Sequence, residues 1–267
     1  MRYIANYHTH HPFCRHAIGS IEAYVKEAIK ANLKELGFSD HAPSNLFDDG
    51  LRMSYPELDL YLNEIAQAKI KHGDHLEIRK GLEAEYLELD DNYYRSLLRK
   101  VDYLILGQHY IGRKQQKFKS TYALKTKNEI LTYKEEVIEA MQSGYFKIFA
   151  HPDLYLYAYP HFDETAYHVA QEIIEAAIKN NVVLEYNANG IRKGTKIFPE
   201  GERYYYPRKE FWESLKHYPN AQVIVSADAH RPSEILDEAI KIAFENLANL
   251  KITPLERINF NTPKFSF

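Results

Sequence analysis

His8-Thr9-His10 near one end of the chain and Asp228-Ala229-His230 near the other repeat one pattern: two metal-binding side chains separated by a single residue. Residues i and i+2 of an extended segment project to the same side, so either pair can chelate a cation. Between them stand His16, His41, Glu83, His109 and His151. Imidazole mixed with carboxylate suits Zn²⁺, Fe²⁺ or Mn²⁺, whereas Ca²⁺ and Mg²⁺ prefer all-oxygen shells. One catalytic ion needs about three or four protein ligands, and this set of nine exceeds that. A cluster of two or three ions is the economical explanation, with Glu83 the natural bridge because its two oxygens can serve neighbouring ions.

These residues are distant in sequence, so a fold must gather them. Short β-type runs alternate with helical patterns along the chain. Strands are expected over residues 3–7, 36–39, 76–85, 101–106, 146–150, 182–187 and 222–226. Ser20 opens a first helix with apolar positions through Leu33 and Leu36 that Gly37 closes, and Ser54-Tyr55-Pro56 starts a second that Gly73 stops. Residues 90–100 form a short helix, Thr126-x-x-Glu129 is a capping box for one ending at Gly144, and further helices span 163–180, 207–217 and 233–250. Residues 112–125 and 190–206, rich in Lys, Arg, Gln and Tyr, read as loops.

No linker, repeat or low-complexity tract splits the chain, so residues 1–267 read as a single α/β domain. Seven strand–helix units without a Gly-rich phosphate fingerprint favour a closed or distorted barrel over an open doubly wound sheet. The strands end, in order, at His8/His10, His41, Glu83, His109, His151, Glu185/Asn187 and Asp228/His230. In a β/α barrel those C-terminal ends converge on one face, and His16 can reach the same mouth from the first loop.

Composition excludes much else. At 45% hydrophobic and 27% charged, the 267 residues are those of a soluble globular protein, not a disordered or fibrous one. Thirty-four Lys+Arg against 37 Asp+Glu give a net charge of −3, so neither nucleic acid nor an anionic membrane is the expected partner. Cys14 is the single cysteine, which forbids an internal disulfide or a Cys-rich zinc site and fits a reducing cytoplasm. The first residues lack a secretory pattern, and no run approaches the roughly 18 apolar residues of a membrane span. G-x-S-x-G, P-loop and G-x-G-x-x-G motifs are missing.

Several residues carry plainer readings. His72, His75, His161, His168 and His217 fall on helices or loops as ordinary polar residues. His11 points away from its neighbour His10 and is either exposed or a support to the cluster. Cys14 near His16 could be a thiol nucleophile, but a buried thiol explains it as well. Glu85 shares a face with Glu83 and serves as a ligand's support or an ion pair.

In this order the motifs resemble the polymerase and histidinol phosphatase (PHP) superfamily: His8-Thr9-His10, His16, Asp40-His41, Gly81-Leu82-Glu83, His109, His151-Pro152 and Asp228-Ala229-His230. The length is similar to that of its stand-alone histidinol-phosphate phosphatases, as is the segment Glu185-Tyr186-Asn187-Ala188-Asn189-Gly190-Ile191-Arg192. The resemblance implies a distorted (β/α)7 barrel whose strand ends hold three divalent ions, Zn, Fe or Mn. It groups His8, His10, Glu83 and Asp228 on one, Glu83, His109 and His151 on the second, and His16, His41 and His230 on the third. Gly107-Gln108-His109 departs from relatives that place two residues between the Gly and the His.

The implied activity is hydrolysis of L-histidinol phosphate to L-histidinol and phosphate, with a metal-bridging hydroxide attacking phosphorus in line. Arg192 is the first choice for a bidentate phosphate contact and Arg231 the second. Tyr110, Tyr155 and Tyr204 are candidates to line the substrate's mouth, and either Asp228 or a metal-bound water protonates the leaving oxygen. Another small phosphate ester, a nucleic-acid 3′ end or a non-catalytic metal-binding scaffold are the alternatives. Oligomeric state leaves no trace in the sequence.

Overall fold

The computed structural model describes residues 2–46, 49–198 and 200–260; Met1 and residues 261–267, which the single-domain reading includes, lie outside that range. The chain runs β1 (Ala5–Asn6), α1 (Ile21–Lys30), β2 (Glu35–Phe38), α2 (Tyr55–His72), β3 (Glu77–Ala84), α3 (Asp91–Leu98) and β4 (Tyr103–Leu106). A ribbon of β5 (Tyr110–Ile111) and β6 (Lys119–Ser120) precedes α4 (Lys127–Ser143), β7 (Ile148–Phe149), α5 (Glu164–Lys179) and β8 (Val183–Asn187). Then come α6 (Ala188–Arg192), a hairpin of β9 (Thr195–Phe198) and β10 (Gly201–Tyr204), α7 (Lys209–Glu213), β11 (Val223–Ser226) and α8 (Glu238–Asn249).

Strands β1, β2, β3, β4, β7, β8 and β11 form one parallel sheet in that order, each paired with the next along the chain. Runs such as Tyr-Leu-Ile-Leu in β4 and Val-Ile-Val in β11 are apolar on both faces, as a parallel strand covered on both sides must be. The sheet curls until β1 faces β11. At the mouth, His10 N–H donates to Ala229 O (2.9 Å) and Ala229 N–H to His8 O (3.2 Å), around a Thr9–Ala229 bridge. Deeper in the seam the Asn6 side chain stands in for backbone pairing: its oxygen accepts Ala227 N–H at 2.8 Å, and its amide donates to the Thr9 hydroxyl at 2.7 Å. The result is the expected distorted, nearly closed (β/α)7 barrel.

Its interior is filled by Tyr7, Tyr103, Ile105, Ile148, Val183 and Ile224, and stoppered below by Leu255, Ile258 and Phe260. Tyr103 fits because Gly81 has no side chain; a Cβ there would lie 2.4 Å from the ring. A second, larger core fills the space between the sheet and the helices. Among the described residues, no helix is long and apolar enough to cross a membrane.

The helix starts at Ser20, Ser54 and Thr126 stand where the capping signals place them, and Gly144 ends α4 at φ 75°. Two expected loops contain structure instead. Residues 112–125 take part in the β5–β6 ribbon, and 190–206 contain the end of α6 and the β9–β10 hairpin. Neither ribbon buries a full face, so neither leaves the hydrophobic alternation from which strands are read. The last helix is shorter than expected because Asp237, not Ser233, caps it, accepting from Ile240 N–H.

Candidate active site

Glu83 is the centre around which the strand ends are arranged. The β2–β3 register continues three residues past Phe38–Lys80 to a His41–Glu83 bridge, which sets imidazole beside carboxylate. Glu83 Oε2 lies 3.1 Å from His41 Nδ1, 3.4 Å from His8 Nε2 and 3.6 Å from His10 Nε2. Its other oxygen, Oε1, lies 3.2 Å from His151 Nε2 and 3.7 Å from His109 Nε2. Gly107 makes this possible, since a Cβ there would come within 2.1 Å of Oε1. The buried Gln108 then fixes the loop: its oxygen accepts Tyr86 N–H (3.0 Å) and its amide donates to Tyr110 O (2.7 Å). His109 therefore reaches Glu83 with a single residue after the glycine.

Asp228 supplies the second carboxylate. Its Oδ1 is 3.1 Å from His10 Nε2, 3.7 Å from His8 Nε2 and 3.5 Å from His230 Nδ1. Its Oδ2 accepts the amides of Asn187 (3.0 Å) and Asn189 (3.1 Å). Both Asp228 (φ 46°) and His151 (φ 36°) adopt the left-handed conformation, at a cost of about 1–2 kcal/mol each. Strain at two strand ends that deliver side chains to one point is the pattern of a functional site.

Five of the imidazoles are held by their outer nitrogens, while the outer Nδ1 of His151 is buried without a hydrogen-bond partner. Nδ1 of His8 meets Glu185 Oε1 at 2.8 Å, that of His10 meets Asp40 Oδ1 at 3.1 Å, and that of His109 meets Glu85 Oε1 at 3.1 Å. Nδ1 of His16 meets the Cys14 carbonyl at 2.6 Å and that of His230 the Asp228 carbonyl at 3.1 Å. An acceptor at Nδ1 puts the proton there and leaves the Nε2 lone pair inside, the arrangement of metal-ligating histidine. His41 is reversed, with Nδ1 toward Glu83. Glu185 also accepts His151 N–H (3.2 Å) and the Asn187 amide (2.8 Å), while Arg52 grips Glu85 at 2.9 Å.

The donor set fits divalent cations. His8 Nε2 and His10 Nε2 are 3.1 Å apart, so two lone pairs confront each other unless a positive charge lies between them. Asp228 Oδ1 and His41 Nδ1 are buried and, although each lies 3.1 Å from another member of the cluster, neither completes a well-formed hydrogen bond. Donor atoms within 4.8 Å of one another form the groups His8–His10–Asp228, His10–His41–Glu83 and Glu83–His109–His151. Burial alone would raise the Glu83 carboxyl, yet His8, His109 and His41 hold it well below the usual carboxylate range. Burial would likewise depress His8, but Glu185, Asp228 and Glu83 lift it well above the ordinary imidazole value. The cluster calls for positive charge at its centre, which divalent cations provide in place of protons.

The other candidates separate. His16 reaches the rim, its ring 4.7 Å from that of His230 and 5.6 Å from that of His41. Arg231 and Asp228 line a cavity of about 300 Å³ above the cluster, beside Tyr122, Asn189 and Lys193, which sequence reasoning missed. Arg192 does not line it. Its guanidinium donates to Asp237 (2.7 Å), Ala227 O (3.2 Å) and Glu234 O (3.4 Å), tying α6 to the start of α8. None of the three candidate tyrosines lines this cavity: Tyr110 donates to Asp49 (3.3 Å), Tyr155 is a core residue bonded to Ala166 O, and Tyr204 lines a separate cleft against α8. Cys14 is fully buried, closed to a substrate, and His11 turns outward to Glu64 at 3.2 Å. Asn189 stands in the motif that ends at Arg192, and Lys193 follows it directly, but no pattern marks Tyr122.

Comparison with known proteins agrees with this architecture. The chain is 27% identical over 235 residues to the probable histidinol-phosphatase of Deinococcus radiodurans, covering 85% of this chain and 86% of that one. A solved Listeria monocytogenes chain shares the fold with a TM-score of 0.71, at 21% identity over 88% of this chain and 98% of its own. The histidinol phosphate phosphatase of Lactococcus lactis, solved with zinc, L-histidinol and phosphate, superposes with a TM-score of 0.67 at 22% identity over 95% of each chain. The model of the PHP domain matches residues 6–189, and the chain belongs to that family.

Proposed function

We propose that this protein is a metal-dependent phosphomonoesterase that hydrolyses L-histidinol phosphate to L-histidinol and phosphate. The observation that carries the reading is Glu83, buried with each oxygen turned to a different set of imidazoles. A carboxylate placed so can bridge cations, and adjacent cations suit the charge of a phosphoryl group. We assign His8, His10, Glu83 and Asp228 to one ion, Glu83, His109 and His151 to a second, and His16, His41 and His230 to a third, as Zn, Fe or Mn. The substrate is supported by the names of the similar proteins and by a cavity of small-molecule size.

Bound divalent cations supply Lewis-acid charge to the phosphoryl oxygens and make hydroxide available near neutral pH. The chain's own residues aim and hold that charge. Glu185, Asp40 and Glu85 accept the Nδ1 protons of His8, His10 and His109 and so fix which nitrogen faces inward. The Asn187 and Asn189 amides clamp one oxygen of Asp228 and leave the other to the cluster. Burial would raise that carboxyl, but His8 and His10 hold it well below the usual range, which supports a ligand's part over a proton donor's.

The test is elemental analysis of the purified protein, joined to a phosphate-release screen with L-histidinol phosphate, generic monoesters and short DNA bearing a 3′ phosphate. Bound divalent metal and preference for L-histidinol phosphate are expected. Metal with preference for a different monoester or for the DNA would overturn the substrate, and metal-free protein without turnover would overturn the enzyme.

A further inference from the structure

Arg192 and Lys193 are adjacent in sequence and opposite in circumstance. The guanidinium of Arg192 is consumed by Asp237 and two backbone carbonyls. Lys193, one residue later, follows the last turn of α6, and its side chain lines the cavity above the histidine cluster. Its Nζ donates to the Tyr206 hydroxyl at 2.9 Å and lies 5.1 Å from the Tyr206 ring and 5.6 Å from the Tyr122 ring. Among the described residues, no carboxylate lies within 4.0 Å of that ammonium.

An ammonium steadied by two rings and a hydroxyl, yet given no counter-charge, retains donors for an anionic ligand. The aromatic support is itself braced. Tyr206 is buried and packs 6.0 Å from His151, while Tyr122 lies parallel to His109 at 6.2 Å. Lys193 is therefore referenced to the same imidazoles that surround Glu83. Arg231, the other cation of the cavity, has a side chain 62% exposed and only a loose 3.9 Å contact with Glu234. Of the two, Lys193 has the fixed position that recognition of one ligand atom requires.

We propose that Lys193 binds a phosphoryl oxygen of the substrate through Nζ, with Tyr206 and Tyr122 holding the ammonium in place. This deepens the phosphatase reading and rests on it. The test uses the zinc-loaded protein and two readouts: the affinity for inorganic phosphate by calorimetry, and KM against kcat for the preferred monoester. Lys193→Met should weaken phosphate binding and raise KM by about tenfold, the worth of one charge-assisted hydrogen bond, with a smaller change in kcat. Lys193→Arg should recover part of the loss. Unchanged phosphate affinity and KM in a Lys193→Met protein of normal Tm and metal content would overturn the proposal, as would a fall in kcat alone. Wild-type protein that binds phosphate but cleaves no monoester would instead sink the phosphatase reading and leave the Lys193 contact to be decided by the calorimetry.

Discussion

Two buried carboxylates stand at opposite ends of the same barrel, and their surroundings differ in kind. Glu35, at the closed end, is fully buried. One of its oxygens pairs with Arg79 and the other with Arg257, whose Nε is 2.8 Å away, and both arginines continue to Glu77. Glu83, at the open end, is equally buried and has no guanidinium; five imidazoles approach it, none a permanent cation. The lower site is neutralised by the chain itself and works as a clasp between the strands and the C-terminal stopper. The upper site leaves its charge to be answered by something the chain does not supply. A buried acid is structural when its partner is fixed and points to function when its partners are exchangeable.

The largest effect that sharpens this contrast is expected from Glu83→Gln, which should lower kcat by several orders of magnitude and reduce bound metal, while Tm of the metal-free protein moves little. Full metal content with near-normal turnover would erase the distinction. Asp40→Asn keeps the shape but weakens the acceptor behind His10, and should cost about 10–100-fold in metal affinity, read by competition with a chelator. At the other end, Glu35→Gln should leave two arginines with Glu77 as their one remaining carboxylate and destabilise the fold by about 2 kcal/mol, discounted because Arg257 is half exposed, with activity per folded molecule unchanged. A loss of metal in that variant would show that the two ends are coupled.

The protonation of the upper cluster gives a fourth check. The carboxylates around His8 and His10 lift both imidazoles well above their ordinary value against the depressing effect of burial. Protons thus occupy the metal-free site at pH values above 6.5, the ordinary imidazole value. Zinc must displace them, so calorimetry at neutral pH in buffers of different ionisation enthalpy should show proton release, and affinity should fall as the pH is lowered. Zinc binding without proton release would contradict the electrostatics described here. The smallest effect is expected from Arg192→Ala, which should cost about 1 kcal/mol of stability through the lost Asp237 contact while KM stays close to wild type.

The metal-ligand candidates were legible in the sequence because the architecture does simple work: parallel strands deliver every C-terminal end to one face, so types and order of residues suffice to gather them. The other wall of the cavity was not. Whether Arg192 or Lys193 faces the mouth depends on the phase of a five-residue helix, which hydrophobic periodicity is too short to reveal. Tyr122 comes from a short turn after a ribbon whose sequence reads as loop, and Tyr204 stands on β10 of a hairpin in another stretch that reads as loop, facing a different cleft. Glu83 was marked in the sequence by its place near the C-terminal end of a strand, whereas Glu35, at the start of β2, carries no such mark, and its two arginine partners lie far along the chain.

The most direct measurement is the anomalous-scattering crystal structure of protein loaded with zinc. More than one peak is predicted, with cations on both oxygens of Glu83 and with the Nε2 atoms of His8, His10, His109 and His151 turned toward them. A single ion bound without Glu83, or no ion among these side chains at all, would contradict the account.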